Sequence, residues 1–332
     1  MPGRHRYFFD VDGLRIDDFP WRIHVHQFGR GDGPATAIVA GIIGDKPLGV
    51  LALHELCRTL DTLPVRGSVY VIPAANPFGL TGMMRHNPDL VELNRRFPGN
   101  TVGSTSDQLA HALLDHILER ADCIIDVHSG TPVRKTHFAY DYGNLELTAS
   151  FGYVPVMVDR HTPGQMCTSA RAAGAQASLI EFGGASSNDT AIATDGLLNM
   201  LAFRGHIDRE PTGPDRVEII DQVKLFFASR AGALDGPHDH AKVGARIPPG
   251  ILGWVTNVIT GERLEEFRLE DIGERAGEGS GFDRWGPSVM RSFLVQSEPL
   301  LMVSQALPAM IQPGTLAFMA GWSDRNIPTP RR

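Results

Sequence analysis

The chain has 332 residues, 42% hydrophobic and 21% charged, which suits a globular protein with room for two domains or one large one with an appendage. A formal net charge of −7 argues against a nucleic-acid-binding surface, and no apolar run reaches the roughly 18 residues that a transmembrane helix needs. The start, MPGRHRYFFDVDG, lacks the apolar stretch of a signal peptide, and Cys57, Cys123 and Cys167 form no CxxC pair. These features predict a cytoplasmic protein with reduced, buried thiols and neither nucleic acid nor membrane as partner.

In chain order, RIHVHQF reads as a strand at the edge of a sheet, with His24 and His26 on one face. ATAIVAGI, GSVYVIPAAN and CIIDVH are Val- and Ile-rich strands. Between the first two, VLALHELCRTL has helical character. Between the last two, Leu109, Leu113, Leu114, Ile117 and Leu118 recur at helical spacing, and Ser106 can cap the helix they define. YVPVMVD (153–159) and ASLIEFGG (177–184) read as further buried strands. NDTAIATDGLLNMLAFRG reads as a helix stopped near Gly205, a residue suited to the left-handed position after a helix. Apolar strands alternating with amphipathic helices predict an α/β domain with a largely parallel sheet covered on both faces.

Composition shifts around residues 206–218 towards Gly, Pro and short Val/Ile/Leu runs without a long helix, which predicts a small all-β domain. The domains are expected at 1–210 and 211–332, the second carrying a polar insertion near 270–288.

Active sites of open α/β sheets lie beyond the carboxyl ends of the strands. Placed there are Lys46, Arg85, Asn94, Arg95, His128 and Glu181. In DVHSG, His128 can ligate a metal or act as a base with Asp126 supporting it, or be a histidine satisfied at a strand end. Residues 76–99 read as a structured loop rich in Gly and Pro. Its arginines present planar forks suited to a carboxylate, although one of Arg95 and Arg96 is expected to pair with a surface acid. Glu181, in an apolar strand end, suits a general base and acid or a structural salt bridge.

Together these motifs resemble the succinylglutamate desuccinylase/aspartoacylase family, a branch of the zinc carboxypeptidase-like fold. Its pattern is a Gly-x-His-Gly-Asp-Glu turn, an Asn-Pro segment leading to Arg and then Asn-Arg-x-Phe-Pro-Gly, an Asp-x-His, and a late Glu-x-Gly-Gly. The resemblance covers nearly the whole chain and implies a mixed, mostly parallel sheet followed by a small β domain. It also implies zinc as cofactor and hydrolysis of an N-acyl amino acid or related amide, with a small carboxylate-bearing substrate and a possible homo-oligomer. Residue by residue, it gives His128 as the third zinc ligand and Arg85 as the group polarising the scissile carbonyl. Asn94 and Arg95 would grip the substrate carboxylate, and Glu181 would activate the zinc-bound water and pass its proton to the leaving amine.

The first motif departs from the pattern. In GIIGDKPLG, Ile43 and Lys46 stand where the resemblance expects the other two zinc ligands. Isoleucine has no donor atom, and an ammonium 4 Å from Zn²⁺ is repelled by roughly 8 kcal/mol at an effective dielectric near 20. A catalytic zinc typically keeps three protein ligands, and this alignment leaves one. His24, His26, His54, Asp45, His86 and the HDH run at 238–240 are the remaining donors that could build a metal site elsewhere or complete this one. Two readings stay open: an amide hydrolase with an altered metal site, and a non-catalytic carboxylate binder that has lost zinc.

Overall fold

The computed structural model describes residues 3–16, 19–132, 134–158, 162–184, 189–236, 246–247, 250–268, 300–306, 309–311, 316–322 and 325–331. The proposed insertion at 270–288 and the HDH run at 238–240 lie outside the described residues. The chain divides into two compact units, residues 1–132, 136–220 and 324–332 in the first and 133–135 and 221–323 in the second.

In the first unit, β1 (His5–Ile16) pairs antiparallel with β2 (Phe19–Phe28). The centre of the sheet is β3 (Ala35–Ala40), β4 (Ser68–Ile72), β5 (Cys123–Ser129) and β8 (Gln176–Gly183), with β6 (Arg134–Asp141) and the short β7 (Val156–Met157) lying between β5 and β8 in sequence. The order is β1-β2-β4-β3-β5-β8-β6. The pairs β4/β3, β3/β5 and β5/β8 are parallel, while β2/β4 and β8/β6 are antiparallel. Strand β7 runs parallel to β6 and to β9 (Arg216–Ile220).

Helices cover both faces, as the alternation in the sequence predicts. On one side α1 (Pro47–Leu60) and α6 (Thr190–Phe203) bury Leu53, Leu56, Leu197 and Leu201 against Ile38, Ile125 and Ile180. On the other, α3 (Thr105–Leu118) and α5 (Met166–Ala172) bury Leu109, Leu113 and Met166 against Val39, Ile124 and Leu179. Each fully buried Leu or Ile contributes about 1.5–3 kcal/mol through apolar burial, so these two layers dominate the unit's stability. Two short helices, α2 (Pro77–Gly82) and α4 (Leu145–Ala149), complete the set. Helix α6 ends as expected, with Gly205 at φ +81° just past its last turn.

Several local expectations change. Strand β2 is not at the edge, because β1 covers it. The cap of α3 is Ser104, whose hydroxyl accepts from the Asp107 N–H while Asp107 reciprocates to the Ser104 N–H. Ser106 Oγ instead donates to Asp89 and accepts from Asn87. The strand expected over 153–159 shrinks to two residues, Pro155 having no N–H to give to a ladder. The segment 76–99 is not all loop: Asn76 accepts from the Gly79 N–H and starts one turn of helix, and Leu93–Arg95 form a 3-10 turn.

The second unit is all-β in its described residues. Strands β10 (Gln222–Phe227), β17 (Leu316–Trp322), β15 (Leu300–Ala306) and β12 (Arg246–Ile247) pair antiparallel in that order. A second antiparallel sheet runs β14 (Arg263–Arg268), β13 (Ile251–Thr256), β11 (Gly232–Asp235), β16 (Ala309–Ile311). The chain then returns to the first unit, where β18 (Arg325–Pro328) pairs antiparallel with β9. No described helix is long and apolar enough to cross a membrane.

Burial, reinforced by Arg4 and Arg6, pushes the His26 imidazolium down from 6.5 to about 4. The unfolded chain therefore takes up this proton first as pH falls, and folding stability is lost between about pH 6.5 and 4. Urea titrations across that range are expected to show a shallower decline for His26→Gln than for the parent chain.

Candidate functional site

The first unit's parallel strands place their carboxyl ends together, and the chain reverses its direction of progress across the sheet between β3 and β5. That is where α/β sheets open a crevice. The turn after β3 carries Lys46, and the end of β5 carries Asp126 and His128. Register then sets His128 beside Glu181 of β8. Asp126, His128 and Glu181 alternate with Val127 and Ile180, so they share the sheet face that α3 and α5 cover.

Lys46 precedes Pro47 and occupies the cap position of α1 without capping it. Its side chain turns into the crevice, where Nζ donates to Glu181 Oε1 at 2.8 Å and Oε2 at 3.0 Å. Both residues are only 9% exposed. An ammonium at the positive end of a helix dipole is unfavourable by itself, so Glu181 answers both the charge and the dipole. His128 lies between two carboxylates. Its Nδ1 is 3.7 Å from Glu181 Oε1, and its Nε2 is 3.0 Å from Asp126 Oδ1, a close contact not aligned as a hydrogen bond. Asp126 is completely buried.

The turn itself is tightly built. Gly44 passes so close to α2 that an added Cβ would sit 1.9 Å from the Gly79 carbonyl. Asn76 ties the turn to the next segment: its Nδ2 donates to the Ile42 carbonyl at 3.1 Å and to Asn87 Oδ1 at 2.7 Å. Ile43 is buried in the apolar cluster with Ile72, Leu93 and Phe97.

In the 76–99 segment, Arg85 donates through Nε to Glu92 Oε2 at 3.0 Å, and its Nη2 lies 3.0 Å from the same oxygen. Arg95 Nη1 stands 3.1 Å from Glu92 Oε1 and donates to the Asn94 carbonyl at 2.7 Å. Asn94 is buried, with Oδ1 accepting from the Met166 N–H at 3.0 Å. Arg96 turns away from Arg95 to Asp107, so each arginine of the adjacent pair meets an acid, and both acids are largely buried rather than at the surface. Glu92 escaped the sequence reading. Its signal was present as an acid seven residues after one arginine and three before the other, the second spacing bringing side chains together within a turn.

The alternative metal donors scatter. His24 and His26 project to the α1 face with Phe28, opposite His128, and the His26 ring faces His54 at 6.4 Å. His86 is exposed, and one Asp45 oxygen is buried without a hydrogen-bond partner. Among the described residues, no group of three His, Cys, Asp or Glu is placed to hold a metal ion. The three cysteines are buried and unpaired, and burial pushes the thiols of Cys57 and Cys123 up to about 12.

Comparison with known proteins follows the same lines. An N-alpha-acetyl-L-2,4-diaminobutyric acid deacetylase of Halomonas elongata is 29% identical over 239 residues, 64% of this chain and 70% of that one. A succinylglutamate desuccinylase from a Silicibacter species shares the fold with a TM-score of 0.75 at 23% identity, over 98% of this chain and 96% of its own. The product-bound ectoine utilization protein EutE (DoeB) of Ruegeria pomeroyi does so with a TM-score of 0.77 at 23% identity, over 97% and 96%. The family profile described as the succinylglutamate desuccinylase/aspartoacylase catalytic domain matches residues 32–207, more than half of the chain and the whole of the crevice just described, and the chain belongs to that family.

Proposed function

We propose that this family member binds a small N-acyl amino acid, or a related amide with a free carboxylate, at a site where Lys46 has taken the place of the zinc ion. The family's activity is deacylation of N-acyl amino acids, and its members are generally zinc-dependent. The single observation that carries this reading is the Lys46 ammonium on both oxygens of Glu181. A general base needs a carboxylate oxygen turned to a water, and here both face a cation.

The donors present do not fit zinc. Ile43 offers no lone pair and is part of the apolar core, Lys46 brings positive charge, and His128 already faces Asp126 and Glu181. What would remain is recognition, since the guanidinium forks of Arg85 and Arg95, together with Asn94, suit a carboxylate. In this reading the protein senses or carries its ligand, or regulates an active partner.

A second reading keeps catalysis, favoured by the presence of Arg85, His128 and Glu181 together in an otherwise intact family framework. Lys46 would then supply the positive charge that polarises the amide carbonyl, and Glu181 would accept a proton from water once ligand binding draws Lys46 away. Turnover of N-acetyl amino acids that is lost in Lys46→Met would establish it over binding alone. Undiminished turnover in that variant would rule it out.

Elemental analysis after incubation with zinc and removal of the excess is expected to find no stoichiometric metal on the purified chain. Ile43→His combined with Lys46→Glu is expected to raise it towards one equivalent. Tightly held zinc on the unaltered chain would reject the lysine-filled reading. Lys46→Met is expected to lower stability by about 3–5 kcal/mol in urea titrations at neutral pH, because it strands a buried carboxylate. Adding Glu181→Gln should recover most of that loss.

A further inference from the structure

We propose that two copies of this chain join edge to edge through β1, antiparallel about a two-fold axis at Phe8, so that the first unit's sheet continues from one copy into the other. The surface involved is separate from the crevice, and the proposal does not depend on how that crevice is used.

Among the described residues, β1 is the outermost strand of its sheet and pairs with β2 alone. An outermost strand offers a row of backbone N–H and C=O groups to any further strand. From His5 to Val11 the strand matches β2 residue for residue, and the register shifts only after Val11. That run is a regular backbone which a second strand can follow.

Proteins commonly protect such an edge with charge. In β1 the charges are instead sorted by sign: Arg4 and Arg6 come before Phe8, Asp10 and Asp12 after it. A copy laid antiparallel, with Phe8 opposite Phe8, sets Arg6 opposite Asp10 and Arg4 opposite Asp12, each match occurring twice about the axis. Tyr7 then faces Phe9. A two-fold axis normal to a sheet keeps every residue on its own face, so the register can change only in steps of two. A step either way loses one kind of charge match and sets Phe8 against Arg6 or Asp10. The strand is thus self-complementary, and most fully so in this register.

The side chains are placed for it. Arg6, Phe8 and Asp10 stand opposite His26, His24 and Arg22 of β2, so they share one face, and all three are exposed, Phe8 by 46%. Arg22 braces two of them, its guanidinium 4.3 Å from the Phe8 ring centre and its Nε donating to Asp10 Oδ1 at 3.1 Å. Arg4 is already held by Asp61, so Arg6 with Asp10 is the match that carries the register. On the opposite face Tyr7 and Phe9 rest on His116 of α3. Opposite charges and aromatic rings directly across an antiparallel pair favour it, and like charges there oppose it.

Sedimentation velocity of the full chain without an N-terminal tag, over a dilution series, is expected to show a dimer that dissociates as it is diluted. Arg6→Glu and Asp10→Arg each set like charges opposite one another and should weaken self-association about tenfold. Mixed in equal amounts, these two variants regain both matches across a hetero-pair, so the dimer should return. Neither lost packing nor a dimer through another surface gives that rescue. Phe8→Lys sets two like charges on the axis and should dissociate the dimer whatever the folding of the other two, with thermal melts reporting which variants fold. A monomeric unaltered chain would overturn the proposal. So would a dimer that all three folded variants leave unchanged, or a mixture of folded Arg6→Glu and Asp10→Arg that restores nothing.

Discussion

A charge taken out of water must be answered by another charge or by dipoles, and at the carboxyl edge of this sheet the answer is the bond between Lys46 and Glu181. Much of the surrounding architecture follows from it. Lys46 sits on the last residue before α1, so the pair ties the start of that helix, packed on one face of the sheet, to a carboxylate on the other. Glu181 in turn stands beside His128, which stands beside Asp126, so a line of alternating basic and acidic groups runs through the crevice. A divalent ion would neutralise two carboxylates there. A lysine brings one positive charge on a flexible stem, and here it is used on a single partner.

The parts of the fold legible in the sequence are those where burial is complete. CIIDVH and ASLIEFGG are apolar enough to be read as central parallel strands, and the spacing of Leu109, Leu113 and Ile117 gives α3 on sight. The unread parts are those where pairing, not composition, decides. Strand β6 contains Arg134, Lys135 and His137 and is a strand because β8 offers it an edge. Strand β1, with charged residues through its length, exists because β2 accepts its ladder. The cap of α3 shifts by two residues because Asp89 claims Ser106 first.

The same division runs through the site. The resemblance in the letters alone proposes Arg85, Asn94, Arg95, His128 and Glu181 as site residues, with Ile43 and Lys46 as its departures. What the letters do not carry is the direction of each side chain. That Lys46 turns towards Glu181, that Arg95 and Arg96 part company, and that Glu92 lies under two guanidiniums are consequences of three loops meeting above adjacent strands. Hydrogen bonds from Asn76 to the neighbouring turn bring that meeting about, and they link residues too far apart in sequence for spacing to reveal.

The return of β18 to β9 has its own consequence for how the chain is made. Everything from residue 221 to 323 is spelled out between two strands that are neighbours in the finished sheet. On the ribosome, β9 emerges about a hundred residues before its partner, so one side of it stays unpaired while the β unit is synthesised. The first unit is therefore completed at this edge only by a strand made after the β unit, and a chain halted inside that unit would leave an open edge for chaperones or other chains to find.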